Sequence, residues 1–196
     1  MSALEKTYLT PEQYLEIERK ADFRSEYYSG EMFAMAGATE PHILIVSNLV
    51  IELGLQLRKR PCRVYSTDMR VRVNAAGLYT YPDVVAICGE PRFADEKRDL
   101  LLNPLVIVEV LSPSTEAYDR GEKFAQYRRL DSLTDYLLVS QDKMRVEHYV
   151  RQPDSHWLLS EASGPDARVE IAALKCNLLL ADVYDKVEFS LKEAAR

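Results

Sequence analysis

The chain has 196 residues, 47% of them hydrophobic and 29% charged, which suits a single globular domain over residues 1–196 and excludes a disordered or fibrous segment. Its formal net charge of −6 excludes binding to nucleic acid through bulk charge, so any such role rests on a local basic face or on a metal ion. The longest apolar run, residues 43–53, is broken by Ser47, Asn48 and Glu52, which excludes a membrane-spanning helix. Met1 to Lys6 lacks the apolar centre of a signal peptide. Cys62, Cys88 and Cys176 are odd in number and form no CxxC, which predicts reduced thiols, a cytoplasmic protein and no zinc site.

Thr10-Pro11-Glu12-Gln13 predicts a capped helix start, with Thr10 and Gln13 forming a capping box and the helix running to about Lys20. Residues 24–36 read as a hairpin about Ser29-Gly30. A long helix follows from about His42 to Arg58, with Ile43, Leu44, Val46, Leu49, Val50, Leu53 and Leu57 marking most of its circumference as buried. Residues 63–73 alternate, with Asp68, Arg70 and Arg72 opposite Tyr65, Thr67, Met69, Val71 and Val73. A turn at Asn74-Ala75-Ala76-Gly77 leads into a second strand, residues 78–87, and residues 89–103 read as a polar loop. A buried strand (105–111), a helix (about 116–130, with Gly121 weakening its first turns) and another buried strand (135–141) come next. Residues 144–151, 157–161 and 168–171 read as further strands. The fold class is α/β, a mixed α+β sheet with a core order of helix, three strands, helix, strand, and hairpins added at both ends.

The stretch Leu105-Val106-Ile107-Val108-Glu109-Val110-Leu111 is apolar except for one acid. A strand with no polar alternation is buried on both faces. An ionised carboxylate there loses its water shell, which costs several kcal/mol (order of magnitude) unless a cation, a hydrogen bond or a proton compensates. A second acid, Asp83, opens the buried run Val84-Val85-Ala86-Ile87, next to Pro82, which cannot donate to a strand ladder. If the two strands are neighbours, the acids stand about 5 Å apart, as cross-strand partners do. Two anions so close repel unless a cation lies between them, and Mg²⁺ suits an all-oxygen site of one or two carboxylates completed by water and phosphate. The alternative, in which Asp83 caps a turn and Glu109 pairs with an arginine, accounts for Asp83 taken alone but not for Glu109. Asp119, Lys123 and Tyr127 recur every four residues and so share one helical face. Lys123 could orient a water or stabilise charge growing on a phosphate. On spacing alone, however, a solvated face with an Asp119–Lys123 pair is the better account.

Pro82-Asp83, then Glu109-Val110-Leu111-Ser112-Pro113-Ser114-Thr115, then Asp119, Lys123 and Tyr127 resemble the Uma-type family of bacterial endonucleases, within the PD-(D/E)XK nuclease superfamily. Glu26-Tyr27-Tyr28-Ser29-Gly30-Glu31 and His42 resemble the same family's N-terminal pattern, so the resemblance covers about residues 10–151. It implies a restriction-endonuclease-like fold and Mg²⁺- or Mn²⁺-dependent hydrolysis of DNA. Asp83, Glu109 and the Val110 carbonyl would be the metal ligands, and Lys123 would position the attacking water. The superfamily places its lysine two residues after the acid, where this chain has Leu111; Lys123 matches a lysine moved to the following helix. That makes sense only if the Asp119–Lys123–Tyr127 face packs toward the metal. Glu26 and Glu31 are second-tier candidates for closing the site, although exposed turn acids are commoner, and His42 for contacting a phosphate, although such a histidine is more often structural. Asp68 is a weaker third acid. Arg58, Lys59, Arg60, Arg120, Arg128 and Arg129 are candidate phosphate contacts, at least half of them better read as solvated surface. Tyr27, Tyr28, Tyr79, Tyr81 and Tyr127 fit half-buried packing better than base stacking. Two rivals stand beside the endonuclease: a non-catalytic nucleic-acid- or protein-binding module of the same fold, in one form a homodimer, and a hydrolase of small phosphorylated molecules. The intact Asp83–Glu109–Lys123 set favours the enzyme, and the acidic net charge favours the rivals.

Overall fold

A computed structural model of the chain describes residues 8–74 and 77–189. The N-terminal residues 1–6 and the Ala75-Ala76 part of the expected turn lie outside the described residues. Helix α1 (Pro11–Glu18) starts as the capping box requires: Gln13 N–H donates to the Thr10 hydroxyl, and Thr10 N–H donates to the Gln13 side chain. The hairpin β1 (Ser25–Tyr28) and β2 (Glu31–Ala34) turns at Ser29-Gly30, where both residues have positive φ. Helix α2 (Glu40–Leu57) follows, with Pro41 in its first turn.

The next four strands carry the main departure from the sequence reading. The two long strands expected at 63–73 and 78–87 are each broken into two: β3 (Cys62–Ser66) and β4 (Arg70–Arg72), then β5 (Leu78–Thr80) and β6 (Val84–Cys88). β4 and β5 pair in a smaller, five-stranded sheet that also holds β1 and β2, whereas β3 and β6 pair in a larger, six-stranded sheet. The hairpin therefore changes sheets at Tyr81-Pro82-Asp83, where proline cannot supply a ladder N–H. The loop expected at 89–103 contains a short strand, β7 (Leu100–Leu101), which lies parallel to β4.

Strand β8 (Val106–Leu111) lies antiparallel to β6 and parallel to β9 (Asp135–Ser140). The parallel pair needs a crossover, and the chain supplies one continuous helix: α3 (Glu116–Tyr118), a π-helical turn (Asp119–Lys123) and α4 (Phe124–Tyr127). Strands β10 (Arg145–Arg151) and β11 (Trp157–Ser163) extend the larger sheet. A two-stranded sheet, β12 (Arg168–Ile171) with β13 (Cys176–Leu179), and α5 (Leu180–Val183) close its α2 side.

β8 is covered on both faces. Val106, Val108 and Val110 meet Ile45, Val46, Leu49, Leu53 and Leu57 of α2. Ile107 and Leu111 point the other way, into a core with Phe124, Tyr127, Leu133 and Tyr136. This explains the continuous apolar run, and it puts Glu109 on the crossover-helix side. Helix α2 is less enclosed than expected. Ile43, Ile51 and Leu55 are exposed, because α2 has the sheet on one side only.

The cysteine reading is corrected. Cys62 and Cys88 are register partners on β3 and β6 with Cα atoms 4.0 Å apart, and they form a disulfide; only Cys176 is free, and it is buried. The cytoplasmic assignment loses the support that three reduced thiols would have given it. Among the described residues no helix is long and apolar enough to cross a membrane.

The one-sided packing of α2 predicts unequal substitutions. Leu53→Ala should cost about 2–5 kcal/mol in denaturant unfolding, and Leu55→Ala within about 0.5 kcal/mol of nothing. Equal losses at both positions would contradict the packing described.

Candidate active site

Three parts of the fold converge on one cleft. The β6–β8 ladder pairs Val84 with Val108 and Val85 with Ile107, and the same register continued by one residue sets Asp83 opposite Glu109. Beyond the ladder, Val110 N–H donates to Asp83 Oδ2 at 2.7 Å, so the side chain of Asp83 takes the place of a missing strand partner. His42, in the first turns of α2, holds the other carboxylate oxygen, with Nε2 3.0 Å from Oδ1.

The crossover helix presents Asp119, Lys123 and Tyr127 to the same place. Asp119 is 3% exposed, Lys123 6% and Tyr127 not at all, so this face is inward and the solvated-face account does not apply. The π turn carries Asp119 and Lys123 within one widened turn, and such turns are frequent at functional sites. Lys123 Nζ lies 3.0 Å from Glu109 Oε1, 3.3 Å from Glu26 Oε1 and 3.5 Å from Asp119 Oδ1. Tyr127 donates its hydroxyl proton to Glu109 Oε1 at 2.7 Å. Glu26 arrives from the smaller sheet, where the Thr80 hydroxyl donates to it.

The electrostatics follow from burial and crowding. Burial pushes the Glu109 carboxyl up from 4.5 to about 8, with the Lys123 ammonium opposing and Asp119 and Asp83 adding to the rise. Burial likewise raises Asp119. For Lys123 burial works against the charge, but Glu109, Tyr127, Glu26 and Asp119 around it hold the ammonium well above its usual range. One ammonium is thus crowded by three carboxyl groups, and burial opposes the ionisation of two of them, Glu109 and Asp119.

This donor set fits a hard divalent ion. Among the described residues no cage of three or more His, Cys, Asp or Glu side chains is present, as a zinc or calcium site would need. The two facing carboxyl groups of Asp83 and Glu109 could hold a hard divalent cation, with water and phosphate at its remaining positions.

Other residues singled out in the sequence fall elsewhere. Glu31 sits at the hairpin end opposite Tyr28 and is not among the residues lining the cleft. Asp68 is exposed and pairs with Arg24. Arg58, Lys59 and Arg60 follow the C-terminal end of α2, roughly 25 Å along the helix from His42. Arg120 is taken by Glu116 and Glu147. Tyr27 and Tyr79 pack with Tyr14 in a separate core, and the Tyr81 hydroxyl lies between Arg70 and Glu18, donating to the latter. Gln126, beside Tyr127 in sequence, donates to the Tyr28 hydroxyl, whereas nothing in the residue pattern points to Tyr118 or Glu122, which line the cleft.

The mixed sheet, its parallel β8–β9 crossover and the acids at the β6–β8 junction define a restriction-endonuclease-like fold. A solved structure described as a "putative nuclease belonging to DUF820" from Anabaena variabilis has this fold, with a TM-score of 0.72 at 18% identity, covering 90% of this chain and 97% of that one. The Uma2 family, "Putative restriction endonuclease", matches residues 11–181, and the chain belongs to it. Two uncharacterized proteins of Synechocystis sp. are similar along nearly their whole length. One is 38% identical over 167 residues, covering 85% of this chain and 94% of that protein; the other is 34% identical over 182 residues, covering 92% and 94%.

Glu109 holds its proton more tightly folded than unfolded when no metal is present. Folding stability in chelator should therefore fall as pH climbs from 4.5 toward about 8. Thermal melts across that range should show wild type losing ground to Glu109→Gln, which has no proton to release there. Parallel profiles for the two proteins would contradict the burial account.

Proposed function

We propose that this protein is a Mg²⁺- or Mn²⁺-dependent nuclease that hydrolyses phosphodiester bonds in DNA, with Asp83, Glu109 and the Val110 carbonyl as the metal-holding groups. The observation that carries this reading is the surplus of carboxyl groups about Lys123: Glu109, Glu26 and Asp119 lie within 3.5 Å of its ammonium, and the nearby Asp83 carboxylate makes it harder still for Glu109 to ionise without a further cation. A fold gains nothing from such crowding, whereas a site that takes up a cation does. When bound, the ion would polarise a phosphate oxygen and lower the pKa of a water beside it.

The chain's own residues then have separate tasks. His42 and the Val110 N–H fix the Asp83 carboxylate, and Tyr127 fixes Glu109. Glu26 and Asp119 keep Lys123 charged and limit its swing. Lys123 orients the attacking water and offsets negative charge developing on the phosphate. The non-catalytic alternative draws on a different observation: both cations lining the cleft, Arg24 and Lys123, are already paired with acids. In that reading Ile51 and Leu55, exposed on α2, offer a face for a second copy.

Calorimetry with Mn²⁺ and a DNA cleavage assay separate the two. Wild type should bind the ion and cut, and Asp83→Asn should do neither. Lys123→Ala should slow cleavage by about 10²–10³-fold with no loss of metal affinity, because it acts on the reacting groups. His42→Ala should weaken metal binding by about 10–100-fold, because it acts through Asp83. Cleavage by folded Asp83→Asn at the wild-type rate would remove Asp83 from the site.

A further inference from the structure

The cleft has a second wall that the metal reading leaves unused. Its cavity, about 1100 Å³, is lined by Glu26, Asp83, Glu109, Asp119 and Glu122 and also by the segment Phe33–Thr39 together with Ile43. That segment, Phe33-Ala34-Met35-Ala36-Gly37-Ala38-Thr39, holds no charged residue, and every member is exposed. Phe33 is 50% exposed and Ile43 53%. The position of Phe33 is set by register. It is the cross-strand partner of Glu26, so both side chains stand on one face of the smaller sheet, and Glu26 lies 3.3 Å from Lys123. An exposed ring thus stands one strand spacing from the acid cluster, at the mouth of the same cavity.

We propose that the Phe33–Ile43 wall is a nucleobase-binding subsite, and that the DNA taken by this cleft is unpaired: a single strand with one base laid against Phe33 and its phosphate turned toward Asp83 and Glu109. The proposal rests on the nuclease reading above and adds the substrate's form to it. The charges argue for a single strand. Duplex DNA carries a negative charge about every 1.7 Å and needs a cationic surface along it. Among the described residues the cleft lining has five acids against Arg24 and Lys123, both of them paired. A single nucleotide entering the cavity brings one phosphate to the carboxylate-held cation and a neutral, flat base to a neutral wall. Stacking of a base on an aromatic ring tolerates any sequence, because every base presents the same kind of face.

Fluorescence anisotropy tests this with the full chain in Mg²⁺, using phosphorothioate-linked oligothymidylate, a phosphorothioate duplex of equal length and thymidine monophosphate as probes. The single strand should bind at least about tenfold tighter than the duplex. Phe33→Ala should weaken single-strand binding by about fivefold or more, the loss of one stacked base. Because Phe33 is half exposed, its truncation leaves the core intact, and an unchanged melting temperature verifies the fold. Equal or tighter duplex binding overturns the proposal, as does a Phe33→Ala variant that binds the strand like wild type. Monophosphate binding as tight as the strand overturns it in favour of a small phosphorylated ligand. Calorimetry of Mg²⁺ without DNA keeps the two readings apart. Metal binding with duplex preference removes the single-strand proposal alone, and strand preference without metal binding removes the metal reading alone.

Discussion

One buried ammonium organises this cleft. Lys123 reaches three carboxylates at once: Glu109 from the central strand of the larger sheet, Glu26 from the smaller sheet, and Asp119 from its own helix. Two of them are held in place by a further donor, Tyr127 for Glu109 and Thr80 for Glu26. Removing the lysine would leave several acids facing one another with little water, which costs more than any surface ion pair returns. The two sheets and the crossover helix are therefore tied together at a point of electrostatic excess. The excess is of acid over ammonium, and it is this excess that the proposed cation would offset.

The backbone explains how the acids come to face one another. The register of β6 on β8 brings Asp83 opposite Glu109 at the point where the hairpin of β3 to β6 leaves the larger sheet. Its change of sheet at Pro82 ends the β6 ladder at Val84, frees the Val110 N–H and turns the Asp83 carboxylate onto it. The π turn does the corresponding work on the opposite wall by keeping Asp119 and Lys123 on one inward surface. Both irregularities sit where the chemistry is proposed, and both would be liabilities elsewhere, since each gives up regular backbone pairing.

Much of this was legible in the residues. A single acid in an otherwise aliphatic strand located Glu109, and Pro82-Asp83 before a second buried strand located its partner. Other features left weaker marks. An i, i+4 spacing of Asp119, Lys123 and Tyr127 reads the same in a solvated helix and in one that packs inward, so the direction of the face had to come from the fold. The π turn leaves no residue pattern beyond Gly121. Helix α2 is apolar almost all round, and hydrophobicity alone cannot show that one side, with Ile51 and Leu55, is left uncovered. The Cys62–Cys88 disulfide was hidden by an odd cysteine count. Counting back along both arms from the turn after Val73 would have brought the two within a residue of each other, and the slip at the sheet change brings them level. A hairpin acid such as Glu26 is usually solvent-facing; here the second sheet, whose pairing depends on distant β5, turns it inward.

The central claim is that Asp83 and Glu109 share one hard cation. Diffraction at the manganese absorption edge from crystals grown with Mn²⁺ tests it most directly. The account predicts an anomalous peak within roughly 2.0–2.6 Å of an oxygen of each acid, the range of hard-cation contacts to oxygen. No peak at the two acids, with the Lys123 ammonium as their sole counter-charge at saturating Mn²⁺, would contradict it.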